Sequence, residues 1–204
     1  MLPVLSFAYD SSWKVPTVGE CFRLWTKYQM LPNIKSHCTM VARVALTLSR
    51  RFAKAGYPLD ENLVIASGLL HDLAKTYTIY YGGDHAKLGA GWVLQETQNP
   101  AIAQAVISHV LWEFDSGELA IDKNPCTLPI LISYADKRVK HDRIVTLKDR
   151  FEDLLKRYGT DDKKIRLITE NYEQSVKMEN ALIAFGVDIE LIPRHIARLK
   201  KERI

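Results

Sequence analysis

An all-α fold is predicted, and three observations predict it. Apolar residues recur at helical spacing along most of the chain, Gly and Pro breakers cut that pattern into ordinary helix lengths, and no stretch alternates apolar and polar residues between hairpin turns. With 204 residues, 47% of them hydrophobic, the chain can bury one full core. A first helix is expected over residues 18 to 30, stopped by Leu31-Pro32. Residues 34 to 55 form the next, with Val41, Val44, Ala45 and Leu48 on one stripe and Gly56 and Pro58 as the stop. Asp60 caps a helix running through Leu73, and Gly82-Gly83 closes the loop after it. Asp84 caps a helix to about Thr97, and Asn99-Pro100 opens another to about Leu111. Residues 113 to 127 read as a polar loop. Pro129 opens a helix to about Lys140, Thr146 caps one to about Tyr158, and residues 161 to 185 and 188 to 201 supply two more.

Composition narrows the functional classes. The net charge of +4 suits anionic small molecules, but the basic residues near 137 to 143 and 194 to 203 are not interleaved with aromatics, so nucleic-acid binding is disfavoured. Cys21, Cys38 and Cys126 are odd in number and lack C-x-x-C spacing, which speaks against a disulfide framework or a cysteine zinc site. No window approaches about 18 consecutive apolar residues, and residues 1 to 10 lack a basic leader region. A cytoplasmic location without membrane association is expected.

The candidate chemistry lies in histidines and aspartates. His71-Asp72 closes the apolar run Leu63-Val64-Ile65-Ala66-Ser67-Gly68-Leu69-Leu70. A carboxylate at the end of a buried helix must be paired, hydrogen-bonded or metal-bound to stay charged, and a neighbouring imidazole suits a divalent cation. His37 lies four residues before Val41, on the buried face of its helix, and Asp136 ends another apolar helical pattern. His85 and His109 also have apolar neighbours, whereas His141-Asp142 and His195 sit among basic residues and read as surface.

This set resembles the HD superfamily of metal-dependent phosphohydrolases, whose signature is a His, a His-Asp pair and an Asp on separate helices of an all-α core. The matching residues are His37 in Lys35-Ser36-His37-Cys38, the pair in Gly68-Leu69-Leu70-His71-Asp72-Leu73-Ala74-Lys75, and Asp136 in Ser133-Tyr134-Ala135-Asp136-Lys137. Some subgroups add two histidines that allow a second metal. His85 in His85-Ala86-Lys87-Leu88-Gly89-Ala90 and His109 resemble these, although many dinuclear members carry two adjacent histidines where this chain has Ser108-His109-Val110.

The resemblance implies an HD-domain-like helical bundle with additional C-terminal helices: a catalytic domain over 1 to 150, core about 30 to 150, and an extension over 151 to 204. It implies one or two divalent ions (Mn, Fe, Ni, Co, Mg or Zn) held by His37, His71, Asp72, His85, His109 and Asp136, with Asp72 bridging. Hydrolysis of a phosphate ester or anhydride of a nucleotide or a related small phosphorylated metabolite would follow, by water that the metal activates. A non-catalytic metal- or nucleotide-binding module is the alternative. Asp72 and Lys75 are the expected catalytic residues; on a continuing helix Lys75 would stand beside the pair and reach a substrate phosphate. Of Lys35, Lys137, Arg138 and Lys140, one at most is expected to line the entrance and the rest to face water. Glu113 and Asp115 are candidates for touching a sugar or base. The charge-rich region from residue 146 reads as scaffold, cap or oligomerisation surface, with room for a homodimer.

Overall fold

The computed structural model describes residue 10, residues 12–110 and residues 121–190. Its elements are α1 (Val18–Lys27), α2 (Pro32–Lys54), α3 (Glu61–Leu70), α4 (Lys75–Tyr81), α5 (His85–Thr97), α6 (Pro100–Ile107), α7 (Leu128–Lys137), β1 (Val139–Lys140), β2 (Arg143–Ile144), α8 (Leu147–Tyr158) and α9 (Asp162–Ala184). The all-α class is borne out.

Helix starts follow local chemistry. Thr17 and Glu20 form a reciprocal capping box for α1. The side chains of Asp60, Asp84, Asn99, Thr146 and Asp161 accept from first-turn amides of α3, α5, α6, α8 and α9. Pro32 at the start of α2 loses no hydrogen bond there.

The core forms where α2 crosses α3 and α7, with α6 closing against α3 and α7. Val41, Ala42, Val44, Ala45, Leu48 and Phe52 of α2 are fully buried. Gly68 makes the α2–α3 crossing close: a Cβ there would lie 2.6 Å from the Ala42 Cα. All ten residues of α7 are buried, Asp136 and Lys137 included. A helix that is apolar all round belongs at the centre of a bundle, and α7 is packed from several sides. The α8–α9 pair packs together, with α9 against α7; the Tyr134 hydroxyl bonds Glu179 at 2.5 Å.

Several boundaries differ from expectation. The helix expected through Leu73 ends at Leu70, because its last carbonyls are taken by other donors: Gly68 O by the His71 ring, Leu69 O by the Trp25 indole at 2.8 Å and Leu70 O by Leu73 N. The residues expected to loop after it hold α4, whose run of Tyr, Thr and Ile gives little helical signal and whose first residue has no side-chain cap. Expected to continue to about Lys140, α7 stops at Lys137 and gives way to the hairpin β1–β2, with Val139 opposite Ile144 and His141-Asp142 as its turn. The expected helix from residue 188 is not present at 188–190, and its remainder lies outside the described residues, as do Glu113, Asp115 and His195. Within α8, Leu147 and Phe151 are buried in the core. Among the described residues, no helix is long and apolar enough to cross a membrane.

Candidate metal centre

Five elements bring the six expected ligands to one place. His37 stands in the first turns of α2, His71 and Asp72 in the turn after α3, His85 at the first position of α5, His109 just past α6, and Asp136 in the last turn of α7. Asp84 takes the amides of Ala86 and Lys87, which ends the loop and leaves the next side chain, His85, against Asp72. Two groups result, His37/His71/Asp72 and Asp72/His85/His109, each with donor atoms within 4.8 Å of one another. Asp72 belongs to both.

The hydrogen bonds set which ring nitrogens face inward. Nδ1 of His37 bonds the carbonyl of His141 at 2.9 Å, Nδ1 of His71 that of Gly68 at 2.8 Å, and Nδ1 of His109 that of Val106 at 2.5 Å. A carbonyl only accepts, so each Nδ1 carries the proton and, in the neutral ring, each Nε2 presents a lone pair. These Nε2 atoms meet further acceptors. That of His37 lies 2.9 Å from Asp136 Oδ1, and that of His109 lies 3.2 Å from His85 Nε2 and 3.5 Å from Asp72 Oδ1. His71 Nε2 and Asp72 Oδ1 are buried with no hydrogen-bond partner.

Buried electron pairs pointed at one another are costly unless a cation or proton stands between them. The Nε2–Nε2 separation of 3.2 Å suits two ligands of one ion at bond lengths of about 2.0–2.1 Å. Imidazole and carboxylate with no thiolate suit a divalent cation of the Mn, Fe, Co, Ni or Zn series, with outer partners that orient the rings. The donor set fits such an ion.

Cations surround the cluster. Lys75 Nζ lies 3.2 Å from His85 Nε2. It does so from the start of α4 rather than from a continuing helix, as a tight turn between Lys75 N and Asp72 O brings it round. Lys137, expected in water, is buried: its ammonium bonds Asp136 Oδ2 at 3.0 Å and the His109 carbonyl at 2.6 Å. Arg138 turns to Tyr134 and Val145, and Lys140 to Asp153. Arg150 places a guanidinium nitrogen 3.8 Å from Asp136 Oδ1, so the region read as scaffold contributes to the site. The apolar stripe of Leu147, Phe151 and Leu154 was the available signal, since Arg150 interrupts it. The exposed side chain of His141 takes no part; its backbone, at φ 56°, supplies the carbonyl.

Burial works against both carboxylates, yet they stay ionised. The Lys75 charge, the largest lowering influence, holds Asp72 well below the usual carboxylate range, and Lys137 with the His37 hydrogen bond does so for Asp136. Burial pushes His71 down to about 4 and His85 down to about 3. Burial opposes charge on His37 too, but Asp136 outweighs it and the net shift is upward.

These shifts give a pH dependence for the metal-depleted protein. His71 and His85 stay neutral in the folded state while their unfolded counterparts protonate below about 6.5. Their contribution is therefore present above about pH 6.5 and is lost, at roughly 1.4 kcal/mol per group per pH unit, as pH falls toward 4 and 3. His37 shifts the other way, and its contribution is fully present below about 6.5 and lost only at higher pH, so it does not offset theirs in that window. Thermal unfolding of chelator-treated protein should show a midpoint that drops between pH 7 and pH 5; a constant or rising midpoint would contradict the arrangement.

Beside the cluster lies a mostly apolar cavity of about 430 Å³, lined by Ala86, Ile107, Val110, Phe151, Leu154 and Ile168 among others. Ala86 follows His85 and Val110 follows His109 in the chain, so the cavity is lined by residues next to two of the candidate ligands.

An all-helical bundle that gathers buried imidazoles and carboxylates between its helix ends defines a class of protein able to hold divalent metal at its core. The family model for the HD domain matches residues 34–154, well over half the chain. The protein thus belongs to the HD domain family, a superfamily of metal-dependent phosphohydrolases. Among its relatives, an uncharacterized protein of Methanocaldococcus jannaschii is 28% identical over 144 residues, covering 67% of this chain and 83% of the relative. Ribonuclease Y of Sulfurovum is 30% identical over 77 residues, 38% of this chain and 14% of that enzyme. Ribonuclease Y of Opitutus terrae is 26% identical over 87 residues, 43% of this chain and 16% of that enzyme. The chain spans only a small part of the ribonucleases. No solved structure gives a significant match.

Proposed function

We infer that the protein is a metal-dependent phosphohydrolase that cleaves a phosphate ester or anhydride of a nucleotide or related small phosphorylated metabolite. The observation that carries this reading is Asp72, ionised, common to both donor groups and left with a buried oxygen that nothing bonds. His37, His71, Asp72 and Asp136 would hold one ion; Asp72, His85 and His109 would hold a second. A divalent ion bound there supplies Lewis acidity toward a phosphoryl oxygen and lowers the pKa of a bound water.

The residues do the rest. Backbone carbonyls fix three rings in the orientation that turns Nε2 inward. Lys137 holds Oδ2 of Asp136, which leaves Oδ1 facing His37. Lys75, half-buried beside His85, offers an ammonium to the charge that develops on a transferring phosphoryl group. The cavity beside His85 and His109 has the size of a small-molecule site and would take the organic part of the substrate.

The partial matches to ribonuclease Y bring a second reading, cleavage of RNA phosphodiesters, and a mostly apolar cavity of small-molecule size favours a small substrate over it. The test is elemental analysis of manganese-reconstituted protein together with phosphate release from nucleotides, dinucleotides and phosphodiesters, with His71→Ala as control. At least one ion per chain and metal-stimulated release that the variant lacks are expected. Less than one ion per chain, or no release across the panel, would sink the reading.

A further inference from the structure

The charges around the centre do not balance. Two buried carboxylates, Asp72 and Asp136, stand among three cations, Lys75, Lys137 and Arg150. Lys137 is consumed, since its ammonium holds Asp136 Oδ2 and the His109 carbonyl. Arg150 is not. Its side chain is 12% exposed and its Nε is buried without a hydrogen-bond partner. Among the described residues its one ion pair is the 3.8 Å approach to Asp136 Oδ1, which is too long for a hydrogen bond. That oxygen already has His37 at 2.9 Å. Arg150 is therefore redundant for neutralising Asp136, and a desolvated guanidinium with idle donors is expensive to keep. Any divalent ion in the centre adds to the positive excess.

We propose that Arg150 and Lys75 form an anion subsite beside the His/Asp cluster that selects a doubly charged phosphate, a phosphomonoester or the terminal phosphate of an anhydride, over a singly charged phosphodiester. The two cations approach different parts of the cluster, Lys75 the His85 side and Arg150 the Asp136 side, so a phosphate would have to span the cluster to pair with both. The planar guanidinium pairs two phosphate oxygens at once, which a lysine cannot do. A monoester carries close to two negative charges above pH 7 and a diester carries one. Arg150 also shares a face of α8 with Leu154, four residues on, which lines the cavity expected to receive the organic part of the substrate. The phosphate end and the body of one small molecule are thus addressed by neighbouring turns of the same helix.

This inference rests on the phosphohydrolase reading but is tested separately. Manganese-loaded wild type, Arg150→Gln and Arg150→Lys are titrated with inorganic phosphate by calorimetry at pH 7.5, assayed for metal content, and compared on p-nitrophenyl phosphate and bis(p-nitrophenyl) phosphate. Loss of a charge-assisted pair should weaken phosphate binding about 10- to 100-fold in Arg150→Gln and less in Arg150→Lys. A similar loss is expected in kcat/KM for the monoester, mostly through KM, with under about threefold change for the diester and unchanged metal content. Unchanged phosphate affinity in Arg150→Gln overturns the proposal, as does equal loss on both esters, loss of metal from that variant, or a wild type that prefers the diester. A wild type that holds metal and binds phosphate through Arg150 but cleaves neither ester supports the subsite and removes the hydrolase reading instead.

Discussion

Asp72→Asn is expected to lose metal and phosphate release together. The substitution keeps the shape of the side chain and one oxygen, so the fold should tolerate it, yet it removes the negative charge common to both donor groups. Loss of a residue that merely orients a ligand costs about 10- to 100-fold in metal affinity. Loss of a carboxylate shared by two groups should exceed that range, and with two buried histidines beside it no other anion within the His37/His71/Asp72 or Asp72/His85/His109 group replaces its charge. Inductively coupled plasma analysis after dialysis, run beside an activity assay, gives the answer. Full metal occupancy in Asp72→Asn with activity within about tenfold of wild type would show that Asp72 is not the shared ligand.

Gly68→Ala should destabilise the fold by about 2 kcal/mol or more. Two effects compete. Alanine gains about 1 kcal/mol of helix propensity over glycine, but its Cβ would meet the Ala42 Cα at 2.6 Å and the Ala42 Cβ at 2.9 Å. Backbone cannot rotate out of the way as a long side chain can, so α2 and α3 must separate, and overpacking of this kind costs about 1–3 kcal/mol or more. The clash wins. Gly91→Ala, where an added Cβ meets nothing within 4 Å, isolates the propensity effect and should gain about 0.5–1 kcal/mol. Denaturant midpoints decide: a Gly68→Ala midpoint at or above wild type would mean that the crossing is looser than described.

The ligand candidates were legible because each is a polar residue on an apolar helical run, an anomaly that sequence displays directly. The cations were not. Lys137 follows Asp136, and adjacent residues on a helix do not face each other; the pairing depends on the helix ending there, so that the lysine stem returns across the last turn. Arg150 lies in the charge-rich stretch Leu147-Lys148-Asp149-Arg150-Phe151, and only its register with Leu147 and Leu154 marks it as inward-facing. The α4 helix and the β1–β2 hairpin escaped for a related reason: each is short and depends on tertiary contacts, such as Thr76 receiving the Leu31 amide, more than on its own pattern.

Three of the four imidazoles are oriented by main-chain carbonyls, those of Gly68, Val106 and His141. Every residue carries a carbonyl, so no substitution at Val106 or His141 deletes the acceptor itself. The centre is thereby insulated from drift in its neighbours' side chains and exposed to another hazard, a change in the pitch of α3, the end of α6 or the hairpin turn. Sequence could wander at those supporting positions while the imidazoles kept their aim, provided the backbone stayed in place.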